Sequence, residues 1–130
     1  MNPAMGGVRA LLRLEGLVVL ALSAAAYARW GGHGWGFFAL LIMTPDLSLA
    51  GYLGGPKVGA VVYNVAHTYL GPALLGGAAF FWLDPAWLGV ALIWSAHIGM
   101  DRLAGYGLKL PIGFHATHLG PAGRAPATAI

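Results

Sequence analysis

Four long apolar stretches follow one another with only short breaks between them, and few folds can accommodate that pattern. The stretches run roughly from Leu11 to Ala28, Trp35 to Leu53, Val58 to Leu83 and Ala86 to Gly107. Each is close to the roughly 20 apolar residues that a helix needs to cross the hydrocarbon of a bilayer. The breaks are Arg29 to Gly34, Gly54 to Lys57, and Asp84-Pro85. Connections this short force antiparallel neighbours, so the expected fold is an all-α, up-down-up-down integral membrane four-helix bundle. It occupies residues 1–110, and residues 111–130 form a short cytoplasmic tail. Pro111, Pro121 and Pro126 in that tail argue for a docked piece followed by disorder.

Composition points the same way. Hydrophobic residues make up 58% of the chain and charged residues 8%, against roughly 25% charged in a soluble domain. A water-soluble fold of 130 residues needs more polar surface than this chain can supply. Seven basic residues with no aromatic-interleaved stripe give no nucleic-acid surface. With no cysteine, disulfides and thiolate metal sites are excluded. Arg9 and Arg13 before an apolar run ending in Ala26-Tyr27-Ala28 imitate a signal peptide. Glu15 inside that run opposes such a reading, and the segment is taken as a retained first helix.

Charge placement orients the bundle. Arg9, Arg13, Lys57, Arg102, Lys109 and Arg124 fall on one side, and only Arg29 on the other. The positive-inside bias puts the larger group, and both termini, in the cytoplasm of a bacterial inner membrane. Trp30, Trp35, Trp82 and Trp87 sit near the outer ends of the spans, where amphipathic rings anchor at the interface.

Polar residues inside a span are costly and usually face the bundle interior. Glu15, Asp46, Asn64, His67, His97 and Asp101 all lie within spans. Counting at 1.5 Å rise per residue puts all six roughly 6 to 15 Å from the inner ends of their helices. His97 and Asp101 are four apart and share a helix face. Ala60, Asn64, His67 and Gly71 form a stripe on the third helix, with Tyr63 at its edge. Pro45, just before Asp46, removes a donor and clashes with the Leu41 carbonyl, which predicts a kink and a freed backbone carbonyl near Asp46. Freed backbone at membrane depth needs protein or water partners, so a cytoplasm-facing polar pocket is expected.

The runs Leu12-Arg13-Leu14-Glu15-Gly16, Pro45-Asp46-Leu47-Ser48 with Gly51-Tyr52, and Tyr63-Asn64 with His67 and Tyr69 form a recognisable set. So do Ala96-His97-Ile98-Gly99, Asp101-Arg102, Gly105-Tyr106-Gly107-Leu108-Lys109 and Thr117-His118-Leu119-Gly120. Together they resemble a family of small bacterial four-helix integral membrane proteins catalogued as a domain of unknown function. The resemblance extends to about Gly120. It implies the fold and the membrane location and supplies no activity.

The chemistry therefore rests on the polar layer. His67, His97 and Asp101 are the expected ligands of a divalent metal, with imidazole and carboxylate suiting zinc, iron or manganese. Asp46 and Glu15 are the candidate catalytic carboxylates, and Asn64, Tyr63 and His118 the candidate pocket residues. A metal with an open position lowers the pKa of bound water to about 7, as a hydrolase acting on lipid-phase esters, amides or phosphates would require. No HExxH or other compact metal motif is present. The alternatives are a homo-oligomeric small-solute or proton-coupled transporter, b-type haem between His67 and His97, and a structural or partner-binding role with Asp101 paired to Arg13 or Arg102.

Overall fold

The structure, a computed structural model, describes residues 6–82, 84, 86–110 and 117–118. It contains α1 (Gly6–Trp30), α2 (Trp35–Leu41), a 3-10 helix (Thr44–Gly54), α3 (Pro56–His67), α4 (Leu70–Phe81) and α5 (Ala86–Ala104). Among the described residues there is no strand, only an isolated antiparallel bridge between Lys109 and Thr117. The reading of the tail as partly disordered falls outside the described residues.

Two of the expected continuous helices are interrupted, each by a proline. Pro45 has no N–H and crowds the carbonyl four residues back, so α2 stops at Leu41. The Leu41 carbonyl is taken instead by the Thr44 hydroxyl at 2.7 Å. The chain resumes as an 11-residue 3-10 helix, long for that geometry. Pro72 acts on the third stretch in the same way. It is accommodated in the first turn of α4, where an N–H is not needed, and the preceding turn cannot continue α3. Thr68 is extended, with φ −97° and ψ 148°.

The elements pair antiparallel along glycine seams. A Cβ on Gly16 of α1 would come within 2.7 Å of the Gly99 carbonyl and the Leu103 nitrogen of α5. A Cβ on Gly99 would meet the Gly16 carbonyl at 2.7 Å. Farther along, Gly89 of α5 packs against Gly31, just past α1, so the two helices run in opposite directions. Gly71 of α4 sits against the Trp94 ring and Gly76 against Ala91, making α4 antiparallel to α5 as well. Gly55, at φ 103°, turns the 3-10 helix back on α3, with Gly51 against Val62 and Gly59 against Tyr52. Small residues at such contacts let backbones approach closely and gain dispersion energy.

Little of the apolar surface lies inside. Half of the buried hydrophobic residues are alanine, and the largest fully buried side chains are Ile93, Ile98, His67 and His97. Leu14, Leu22, Leu40, Leu47, Leu74 and Phe80 all point outward. Segments Gly6–Trp30 and Trp35–Gly54 are long and apolar enough to cross a membrane.

The α1–α5 seam makes a direct prediction. Gly16→Ala and Gly99→Ala should each lower unfolding stability in detergent by about 1–3 kcal/mol, since backbone atoms block the added methyl. Gly77→Ala on α4, with open space around it, should be neutral or stabilising by up to about 1 kcal/mol. Equal effects at all three positions, read from unfolding midpoints, would contradict the close seam.

Candidate metal centre

The two helix breaks and α5 together assemble one polar cluster. His67 is the last residue of α3, His97 lies in the middle of α5, Asp101 is one turn beyond it, and Asp46 is in the first turn of the 3-10 helix. Both histidines are fully buried, while the side chains of Asp101 and Asp46 are 13% and 32% exposed.

Each imidazole is aimed by a backbone carbonyl. His67 Nδ1 lies 2.9 Å from the Tyr63 carbonyl one turn back, and the Tyr63 ring stacks on the imidazole at 3.7 Å and 9°. His97 Nδ1 bonds the Ile42 carbonyl. That carbonyl is available because the Asp46 amide bonds Met43 rather than Ile42, at 3.1 Å. A carbonyl only accepts, so both histidines carry their proton on Nδ1 and donate it there. In neutral rings both Nε2 atoms then present lone pairs.

Those lone pairs converge. His67 Nε2 and His97 Nε2 are 3.2 Å apart. Asp46 Oδ1 is 3.1 Å from His67 Nε2 and 3.2 Å from His97 Nε2. Asp101 Oδ2 is 3.3 Å from each. All four atoms lie within 4.8 Å of one another. With neutral imidazoles these are four acceptors with no proton among them, and no hydrogen bond can link them. A cation at the centre, or protonation of the imidazoles, resolves the repulsion. For zinc at about 2.0–2.1 Å from its ligands, the edges of a tetrahedron are roughly 3.3 Å. The five separations given above match that edge. Imidazole N–H donation to backbone carbonyls is also the usual support for metal-bound histidine.

The remaining candidate residues are placed differently. Asn64 clamps the backbone of Lys109: its amide donates to the Lys109 carbonyl at 2.8 Å and its oxygen accepts from the Lys109 amide at 2.7 Å. Tyr63 supports His67 by stacking. Glu15 is exposed on α1 and is not among the converging groups. His118 Nδ1 accepts from the Leu108 amide at 2.8 Å, so that nitrogen is engaged away from the cluster. Neither arginine considered as a partner for Asp101 hydrogen-bonds it. Arg102 donates to the His67 and Tyr106 carbonyls, each at 2.9 Å, and Arg13 donates to the Leu103 carbonyl at 2.8 Å. The direct Nε2–Nε2 contact leaves no gap for a porphyrin plane, which disfavours the haem reading.

Two contributors to the site, Pro72 and Lys109, lie outside the set expected from the sequence. Pro72 signals the break that leaves the His67 carbonyl to Arg102 and the Ala66 carbonyl to the Trp94 indole, bonded at 2.6 Å. Lys109, 5% exposed, has its ammonium 4.8 Å from the Tyr63 ring centre. Burial holds that ammonium below the ordinary lysine range, while the Asp101 and Asp46 carboxylates pull it back up. A cavity of about 210 Å3 adjoins the cluster, lined by Leu41, Thr44, Pro45, Val90, Ile93 and Trp94.

If the carbonyl from Ile42 aims His97, the kink matters as much as the ligands. Pro45→Ala should let the helix continue and draw Ile42 into an intrahelical bond. Affinity for added zinc should then fall by about 10–100-fold, as for loss of other supporting partners. Zinc titration of the variant checks this, and unchanged affinity would refute the role given to the break.

Comparison of the chain with curated proteins and with solved structures returned no match. A family model described as Domain of unknown function (DUF4260) matches residues 9–122, which include every member of the cluster and the clamp around Lys109. The chain belongs to the DUF4260 family.

Proposed function

We propose that this protein is a multi-pass membrane enzyme with a mononuclear His2Asp2 metal centre that hydrolyses a lipid-phase substrate. The observation that carries the metal reading is the convergence of two Nδ1-anchored imidazoles and two carboxylates, with the Nε2–Nε2 and the four Nε2–carboxylate separations at 3.1–3.3 Å and all four atoms within 4.8 Å. The membrane reading is supported by the outward leucines and by the two long apolar segments, few of whose residues are buried. Core helices of a soluble protein would be mostly buried. The segment Trp35–Gly54 has 20 residues. With α rise over α2 and about 2.0 Å per residue over the 3-10 helix, its summed rise is about 36 Å, enough to cover the roughly 30 Å of hydrocarbon.

The roles follow from burial. His67, His97 and Asp101 would hold the ion from helical positions. Asp46 is the most exposed member and follows Pro45 of the cavity wall, so it is the ligand best placed to share its position with a water. A bound divalent ion lowers the pKa of that water. Asp46 would then be placed to hold the proton given up by the water and to pass it to the leaving group. Water is thereby divided between the two products. Transport is less well supported, because the polar groups meet at a point rather than forming a file across the bundle.

The metal reading predicts about one zinc, iron or manganese ion per purified chain by elemental analysis. His67→Ala and His97→Ala should abolish it. Asp46→Asn should weaken affinity yet retain metal at saturating concentration, because three ligands suffice for a catalytic zinc site. No stoichiometric metal, or content indifferent to the histidines, would remove the proposal. Complete loss in Asp46→Asn alone would make the site a closed structural one.

Orientation can be read directly because the chain has no cysteine. With both termini inside, a membrane-impermeant maleimide should label His33→Cys and not Lys57→Cys in intact cells. The reverse pattern would invert the bundle.

A further inference from the structure

We infer that the cavity beside the cluster is an acyl-chain subsite, and that the substrate is a fatty-acyl ester or amide whose carbonyl carbon stands at the metal position. This rests on the metal-enzyme reading above and names the substrate class of that same site.

The first support is continuity. Val90, Ile93, Trp94, His97 and Asp101 recur at intervals of three and four along α5, so the cavity wall and two of the ligands share one helix face. Leu41, Thr44 and Pro45 form the other wall, and Pro45 directly precedes Asp46. Ile42, next to Leu41, holds His97 Nδ1 through its carbonyl. A chain that starts at the metal position and follows this face of α5 therefore enters the cavity within one helical turn, about 5.4 Å. Acyl esters and amides fit that distance, because their hydrocarbon begins on the reacting carbonyl carbon. In a phospholipid, several atoms separate phosphorus from the first hydrocarbon, so attack at phosphorus would leave the cavity unfilled.

The second support is the chemistry of the wall. Leu41, Pro45, Val90 and Ile93 are apolar. The Thr44 hydroxyl donates to the Leu41 carbonyl at 2.7 Å, and the Trp94 indole donates to the Ala66 carbonyl at 2.6 Å. Both side-chain donors of the lining are thus already used. A hydroxyl or charge placed in the cavity would lose its water without replacement, whereas a methylene loses nothing and gains dispersion contact. Cavities of this kind stay dry and accept hydrocarbon. A void of about 150 Å3 binds benzene, so one of about 210 Å3 takes roughly six to eight carbons.

The third support is access. Ile93 is buried while Thr44 is exposed, so the cavity opens outward at the break between α2 and the 3-10 helix. The neighbouring Leu40, Met43 and Leu47 are exposed as well. In a bilayer that mouth meets hydrocarbon, and a chain passes in without crossing water.

The test uses hydroxamic acids, which chelate zinc through two oxygens and carry alkyl chains of chosen length. Full-length, zinc-loaded protein in neutral detergent is titrated with acetohydroxamic, hexanohydroxamic, octanohydroxamic and dodecanohydroxamic acid, with free ligand measured across a dialysis membrane. Affinity should rise at least about thirtyfold from the two-carbon to the six-carbon probe, then level off beyond about eight carbons. Val90→Phe, which narrows the cavity, should weaken the six-carbon probe about tenfold or more and leave acetohydroxamic acid unchanged. Leu41→Ala, which widens it, should move the plateau to longer chains. A terminal hydroxyl on the six-carbon probe should cost about tenfold or more, since the wall has no donor for it. Acetohydroxamic acid that binds the zinc with no gain from added carbons, or a gain that both variants leave untouched, would overturn the inference alone. Protein that holds no zinc, or zinc that no hydroxamate reaches, would overturn the metal reading and this inference with it. Unchanged zinc content and acetohydroxamate affinity in each variant report an intact cluster.

Discussion

The hydrogen bonds from two histidine Nδ1 atoms to backbone carbonyls set the rest of the site. Once those bonds form, each ring has a single way to present Nε2, and the two Nε2 atoms face each other across 3.2 Å. One of the carbonyls is an ordinary helical one. The other is free only because Pro45 ends α2 and the next turn tightens to 3-10 geometry. A fault in one helix therefore fixes a side chain on another. The second break, at Thr68, leaves the His67 carbonyl to Arg102 and so ties the end of α3 to α5. An unpaired buried backbone group is costly, and here the freed Ile42, Ala66 and His67 carbonyls are bonded by three side chains of α5, those of His97, Trp94 and Arg102.

The framework carrying these bonds depends on small residues rather than on a large apolar core. Gly16 against Gly99 brings α1 and α5 to backbone contact, and Gly71 makes room for Trp94. Trp94 then reaches the Ala66 carbonyl one residue before His67. The same element thus packs the bundle and positions a ligand. With many leucines and phenylalanines facing outward, the contacts between helices are made largely by glycine and alanine.

Much of this was legible in the sequence, for physical reasons. The lengths of apolar runs and the short breaks gave the antiparallel order, because few-residue connections allow no other. The i, i+4 spacing put His97 and Asp101 on one face, and the cost of polar groups in apolar spans singled out Asp46 and His67. Glu15 shows the limit. Its depth matched the others, but depth does not fix azimuth, and it faces outward from α1. The break at Thr68 is marked in the sequence only by Pro72, because the apolar run continues through it without a composition change. The burial of Lys109 was hidden because it depends on Asn64, 45 residues away, accepting and donating to a segment beyond the last helix.

The central claim is that His67, His97, Asp46 and Asp101 surround one metal ion. X-ray absorption at the zinc edge on purified, zinc-loaded protein tests it most directly. The expected first shell is about four nitrogen and oxygen atoms at about 2.0–2.2 Å, with outer-shell scattering from two imidazoles. A shell lacking imidazole scattering, or zinc that washes out to a purely aqueous environment, would contradict it.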